Sequence, residues 1–136
     1  MAGALSITPH RRQIPLSSVQ DAARHVYEAA VRTPLVRIEL DGANSPLREL
    51  YLKLELLQPI GSFKIRGAYN VLRQLSPAEL AMGVCTVSAG NAAQGVALAA
   101  RLAGAHATVM VIDEAPATKI RAIERLGASI IRGTYD

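Results

Sequence analysis

Two short stretches hold the residues that could do chemistry. The first is Gly61-Ser-Phe-Lys-Ile-Arg-Gly-Ala-Tyr-Asn70. Ser62 is a good helix N-cap, its hydroxyl oxygen taking an orphan amide of the first turn. Lys64 then falls in that first turn, where the helix dipole is positive and disfavours a cation. At 3.6 residues per turn, Lys64, Ala68, Val71 and Leu75 share an apolar stripe bordered by Leu72, while Arg66, Asn70 and Arg73 share the opposite face. Burial and a positive helix end both favour a neutral amine, and a neutral amine is a nucleophile. The pattern leaves a second reading open: an edge lysine whose stem lies on the core and whose ammonium reaches water.

The second stretch is Ser88-Ala89-Gly90-Asn91-Ala92. It follows an apolar strand and opens a helix, the crevice where open α/β sheets bind ligands. Free backbone amides and the helix dipole suit an anion there. Gly90 admits a close approach to the backbone, and Ser88 and Asn91 add neutral donors and acceptors. An ordinary strand-to-helix turn with an Asn cap is the competing reading. No dinucleotide glycine pattern, P-loop or nucleophile elbow is present. His10, His25 and His106 lack a Cys or carboxylate at ligand spacing, so no metal site is expected.

The elements that must position these stretches follow from periodicity. Residues 1–16 read as a flexible tail. Residues 17–31 form an amphipathic helix capped by Ser17 or Ser18, with Val19, Ala22, Ala23, Val26 and Ala30 as its buried stripe and His25 in solvent. Thr33-Pro34 ends it. Val36, Ile38 and Leu40 alternate with charged residues, a turn cluster spans 41–46, and Leu50, Leu52 and Leu54 alternate again: a hairpin. The lysine helix runs to about Leu75, and Ser76-Pro77 opens a short helix. From Gly83 the pattern changes. Apolar strands at 84–87, 108–112 and from 129 alternate with helices 92–103 and 117–126, stopped by Gly104 and Gly127. This is a βαβαβ three-layer parallel-sheet unit with right-handed crossovers. Cys85 reads as inert core. With no helix after the third strand, Asp136 reads as a cut.

The 136 residues suffice to bury a core, and the chain is half hydrophobic yet has only four Tyr and one Phe as aromatics, which suits helix-on-sheet packing. A net charge of +4 spread along the chain argues against a nucleic-acid surface. One cysteine excludes an internal disulfide and fits a cytoplasmic location, and no run reaches membrane-spanning length.

The stretch Lys53-x-Glu55-x-x-Gln58-Pro59-x-Gly61-Ser62-Phe63-Lys64-x-Arg66-Gly67-Ala68 resembles the lysine signature of the serine/threonine dehydratases. These are pyridoxal-phosphate enzymes of the tryptophan-synthase-β fold group, fold type II. Thr33-Pro34-Leu35 and Ser88-Ala-Gly-Asn-x-x-Gln94-Gly95 resemble two further blocks in the same order, and the similarity spans residues 14–136. It implies an incomplete α/β fold of that type, with 17–80 as the start of the large cofactor domain and 81–136 as part of a small α/β domain. It implies pyridoxal 5'-phosphate as cofactor, joined to Lys64 as the internal aldimine, with Phe63 packed beside it and Asn91 bonded to its 3′-oxygen. Ser88, Ala89, Gly90, Asn91 and Ala92 would hold the substrate carboxylate.

The implied reaction is dehydration and deamination of L-threonine or L-serine to a 2-oxo acid and ammonia, in amino-acid metabolism such as isoleucine biosynthesis. The partner is a small amino acid, with neither nucleic acid nor membrane, in a homo-oligomer (dimer or tetramer) at full length. Two departures stand out. Ala92 occupies a position usually His, and the glycine-rich loop that cradles the cofactor phosphate is missing. Both features favour the alternative, a truncated or degenerate non-catalytic relative. Ala89, where racemases of the family commonly carry serine, favours dehydration over racemisation.

Overall fold

A computed structural model describes residues 13–39 and 49–134. The expected tail before residue 13 and the turn over 41–46 lie outside the described residues. The first helix, α1, runs Leu16–Val26 and is preceded by Pro15, with no side-chain cap from Ser17 or Ser18. Proline's fixed φ starts the helix without one. Val26 and Ala30 are buried, but Val19 and Ala23 of the expected stripe are exposed. Only the C-terminal end of α1 meets the core.

Strands β1 (Leu35–Ile38) and β2 (Leu50–Lys53) pair antiparallel, Leu35 opposite Lys53 and Ile38 opposite Leu50. The hairpin is as expected, though Leu35, Val36 and Leu52 stay exposed. One 3-10 turn, Glu55–Leu57, leads to Gly61. Gly61 turns the chain at φ +69°, a left-handed conformation that a side chain would strain. Helix α2 follows at Lys64–Leu72, then α3 at Pro77–Met82. The α3 terminus is a complete capping box: the Ser76 hydroxyl accepts the Glu79 amide while the Glu79 carboxylate accepts the Ser76 amide at 2.7 Å.

The second half is the βαβαβ unit. Strands β3 (Val84–Val87), β4 (Ala107–Ile112) and β5 (Ser129–Gly133) lie side by side in that order, all parallel. Helices α4 (Asn91–Ala103) and α5 (Ala117–Arg125) make the crossovers. Right-handed crossovers that step one way across a sheet put both helices on the same face. Burial on β4 agrees: Ala107, Val109 and Val111 are buried, whereas Met110 is exposed. The helices thus layer on one face, and Val87, Met110 and Ile131 leave the other face bare among the described residues. Cys85 is exposed rather than core, because β3 has no cover on that side.

Helix α2 lies along α4, the most extensive helix pairing in the fold. Ile65, Tyr69 and Leu72 are its buried face. This corrects the expected stripe: Val71 is exposed, while Ala68 and Leu75 only border the core. A 3.6-residue period allows either stripe, and docking on α4 selects the one led by Ile65.

Candidate active site

Lys64 is the first residue of α2. Its amide reaches the buried Ser62 hydroxyl at 3.3 Å. Ser62 is therefore not the expected N-cap, a position held by Phe63, although its hydroxyl still takes the first amide of the helix. The side chain is exposed, against the expectation of burial. Its ammonium lies 5.1 Å from the centre of the Phe63 ring and has no ion-pair or hydrogen-bond partner among the described residues. Lys64 faces a groove of about 600 Å³. Val71 and Leu75 of α2, Cys85 and Thr86 of β3, and Ala92 and Val96 of α4 line its walls. Lys64 thus borders a mostly apolar groove without a side-chain partner among the described residues.

Ser88 to Gly90 link the end of β3 to α4, and Asn91 and Ala92 are the first two residues of that helix. The Ser88 hydroxyl accepts the Gly90 amide at 3.2 Å, which folds the turn. Asn91 is exposed, and its side chain has no partner among the described residues. It does not cap α4; Gly90 holds the cap position. The competing reading of an Asn cap therefore fails. Ala89 is half-buried against the core and Ala92 faces the Lys64 groove. Gly95, one turn into α4, joins the two stretches. A Cβ there would stand 3.1 Å from the Lys64 carbonyl carbon and oxygen and 3.3 Å from its Cβ. Glycine is what lets the backbones approach.

Sequence reasoning gave no role to the polar residues around Lys64, and the structure does. Arg66 grips Glu55 with two hydrogen bonds, Nε to Oε2 at 2.8 Å and Nη2 to Oε1 at 2.7 Å. Thr33 donates to Glu55 Oε1 at 2.6 Å and Gln58 to Oε2 at 3.1 Å. The Gln58 amide also pairs with both backbone groups of Val31, at 2.8 and 2.9 Å. Lys53 donates to the Thr33 carbonyl, and the Tyr27 ring lies 5.5 Å from the Arg66 guanidinium. Hydrogen bonds from Arg66 hold the Glu55 carboxyl down at about 2, against the upward push of burial, with Thr33 and Gln58 assisting. Arg66 is therefore part of a closed network, not a wet-face cation. The sequence signal was present but non-local: Glu55, Gln58 and Arg66 bracket the glycine turn.

Among the described residues no group of three or more His, Cys, Asp or Glu is placed to hold a metal. No helix among them is long and apolar enough to cross a membrane.

Residues 26–136 match the family described as pyridoxal-phosphate dependent enzyme. Among characterised proteins the chain is 45% identical over 122 residues to the L-threonine ammonia-lyase of Thermotoga maritima, covering 87% of this chain and 29% of that one. Among solved structures it resembles the processed form of threonine deaminase isoform 2 from Solanum lycopersicum (TM-score 0.75, 38% identity), covering 88% of this chain and 35% of that one. Maize serine racemase is similar at TM-score 0.77 and 32% identity, covering 88% and 36%. The chain spans about a third of the length of these relatives.

Proposed function

The chain belongs to the family of pyridoxal-phosphate dependent enzymes, and from that premise we propose that it carries the lysine half of a threonine or serine dehydratase site. The observation that supports this most is Lys64: a partnerless amine on the apolar groove, with Gly95 of the second stretch against its backbone. The residues suit the cofactor. The groove offers aromatic and aliphatic walls for a ring, and Lys64 and Asn91 are unengaged polar groups.

In this reading Lys64 Nζ would hold the cofactor and would accept the substrate's α-proton. Phe63, exposed beside Lys64, shields one side of the ring. Asn91 orients the cofactor through its amide. The Ser88 hydroxyl and the amides of Ala89, Asn91 and Ala92 hold the substrate carboxylate at the N-terminus of α4, while Gly90, its amide given to Ser88, shapes the turn. Bound pyridoxal phosphate supplies the electron sink that makes the α-proton removable. With the α-proton and β-hydroxyl lost together as water and one water then added back, the products would be a 2-oxo acid and ammonia. Residues 17–80 and 81–136 are proposed as parts of a large and a small domain, with the Lys64–Gly95 contact on their boundary. A cytoplasmic homo-oligomer, dimer or tetramer, completes the proposal; the exposed apolar hairpin supports assembly.

The test is cofactor binding and turnover in the full chain. Lys64→Ala is expected to remove the visible absorbance band of the bound cofactor and the release of 2-oxo acid from threonine and serine. A Lys64→Ala protein that keeps both sinks the reading. Ala92 favours a second reading, a relative that binds without turnover, because the groove lacks an imidazole there. A cofactor band with no product would select it.

A further inference from the structure

Arg66 lies two residues beyond Lys64, about 200° further round the helix. Ile65, between them, is 0% exposed. Three contacts therefore set the rotation of the first turn of α2. Ile65 enters the core, Gly95 packs on the Lys64 backbone, and Arg66, which also borders the groove, is held by Glu55 and by the Val31 carbonyl, 3.1 Å from Nη2. The Arg66 anchor is itself anchored. Glu55 also takes Thr33 and Gln58, and Gln58 is locked to the Val31 backbone. These ties join the end of the α1 segment, the exit of β2 and the start of α2.

We propose that Glu55, Arg66, Gln58 and Thr33 form a positioning device for Lys64, fixing the rotation of α2 so that the amine faces the groove. The inference rests on the reading of Lys64 as the cofactor lysine. None of the four need touch the reacting atoms; they act through the helix they hold. Arg66 suits the task because its planar fork meets a carboxylate at two points and so resists rotation, which a lysine cannot do.

The experiment uses the full chain loaded with pyridoxal phosphate. Borohydride reduces the link between cofactor and lysine, peptide mapping gives its rate of trapping at Lys64, and visible circular dichroism of the bound cofactor reports its orientation. Glu55→Gln and Arg66→Lys are expected to slow trapping at Lys64 about tenfold and to alter the visible dichroism, with far-ultraviolet spectra unchanged. Thr33→Val is expected to slow trapping about threefold, and Thr33→Ser, which keeps the hydroxyl, to restore the parent rate. If Glu55→Gln fails to fold, the near-isosteric Thr33→Val, which leaves the ion pair in place, decides. Variants that melt earlier but trap at the parent rate with the parent dichroism overturn the inference, because the network then only stabilises. A parent that never traps at Lys64 overturns the proposed function and this inference with it.

Discussion

Gly95 packs directly on Lys64: any Cβ at 95 would stand 3.1 Å from the carbonyl carbon and oxygen of the lysine. The second turn of α4 and the first residue of α2 are in contact at the backbone. Ala92 and Val96, on either side of Gly95 in α4, line the groove together with Lys64.

Gly95→Ala therefore sets a helix gain against a packing cost. Alanine in a helix interior ordinarily gains about 1 kcal/mol over glycine. Here overpacking against backbone, with Ile65 already fully buried beside it, costs about 1–3 kcal/mol. Denaturant unfolding is expected to show between no net change and a loss of about 2 kcal/mol. Gly67, also within α2, has open space where a Cβ would stand, with nothing within 4 Å, so Gly67→Ala is expected to gain about 0.5–1 kcal/mol. Equal effects at the two sites would contradict the close contact.

Acid should weaken the fold through Glu55. Its folded-state value, about 2, lies below the ordinary 4.5. A depressed carboxylate contributes stability that is fully present above the ordinary value and lost as pH falls through the folded one. The loss should run from about pH 4.5 to about pH 2, on the order of 2 kcal/mol after allowance for solvent screening. Glu28, lowered chiefly by the Tyr69 hydroxyl, titrates in the same direction. The difference between parent and Glu55→Gln melting curves across this window isolates Glu55. Parallel curves would refute the assignment.

Ser76→Ala removes half of the capping box of α3. A loss of about 1 kcal/mol is expected in denaturant unfolding. Glu79 is held low first by the Ser76 hydroxyl and then by the Ser76 amide. Its carboxyl should rise toward the ordinary range in the variant without fully reaching it, as a carbon-detected NMR titration would show.

Asn91→Ala tests the second stretch. Asn91 is exposed and does not cap α4, so the melting temperature should hold within about 2 °C. If Asn91 orients the cofactor, losing one hydrogen bond of about 1.4 kcal/mol weakens cofactor binding about tenfold. A spectroscopic titration of the full chain with pyridoxal phosphate measures it. Unchanged affinity would remove Asn91 from the site.

Local signals in the sequence were sufficient where the physics is local. The helix start at Ser76-Pro77, the stop at Gly104 and the alternation of parallel strands with helices all follow from caps and spacing. The face of α2 did not. Lys64, Ala68 and Val71 fit an apolar stripe as well as Ile65, Tyr69 and Leu72 do, and the choice belongs to α4, which is remote in sequence. Cys85 and Val19 read as core because apolar patterning marks what can be buried, while cover depends on neighbouring elements. The Glu55–Arg66 grip was hidden for another reason. Its partners meet across a turn, and no periodicity relates them.

The network around Glu55 also bears on how such a sequence can drift. Glu55 accepts from Thr33, Gln58 and twice from Arg66. Replacing any one donor strands the others around a part-buried charge, which costs more than the lost bond itself. Single substitutions at 33, 55, 58 or 66 are thus steep downhill steps, while a concerted exchange is not. These positions should behave as one inherited unit, co-varying across descendants while their exposed neighbours at 56 and 57 diverge freely.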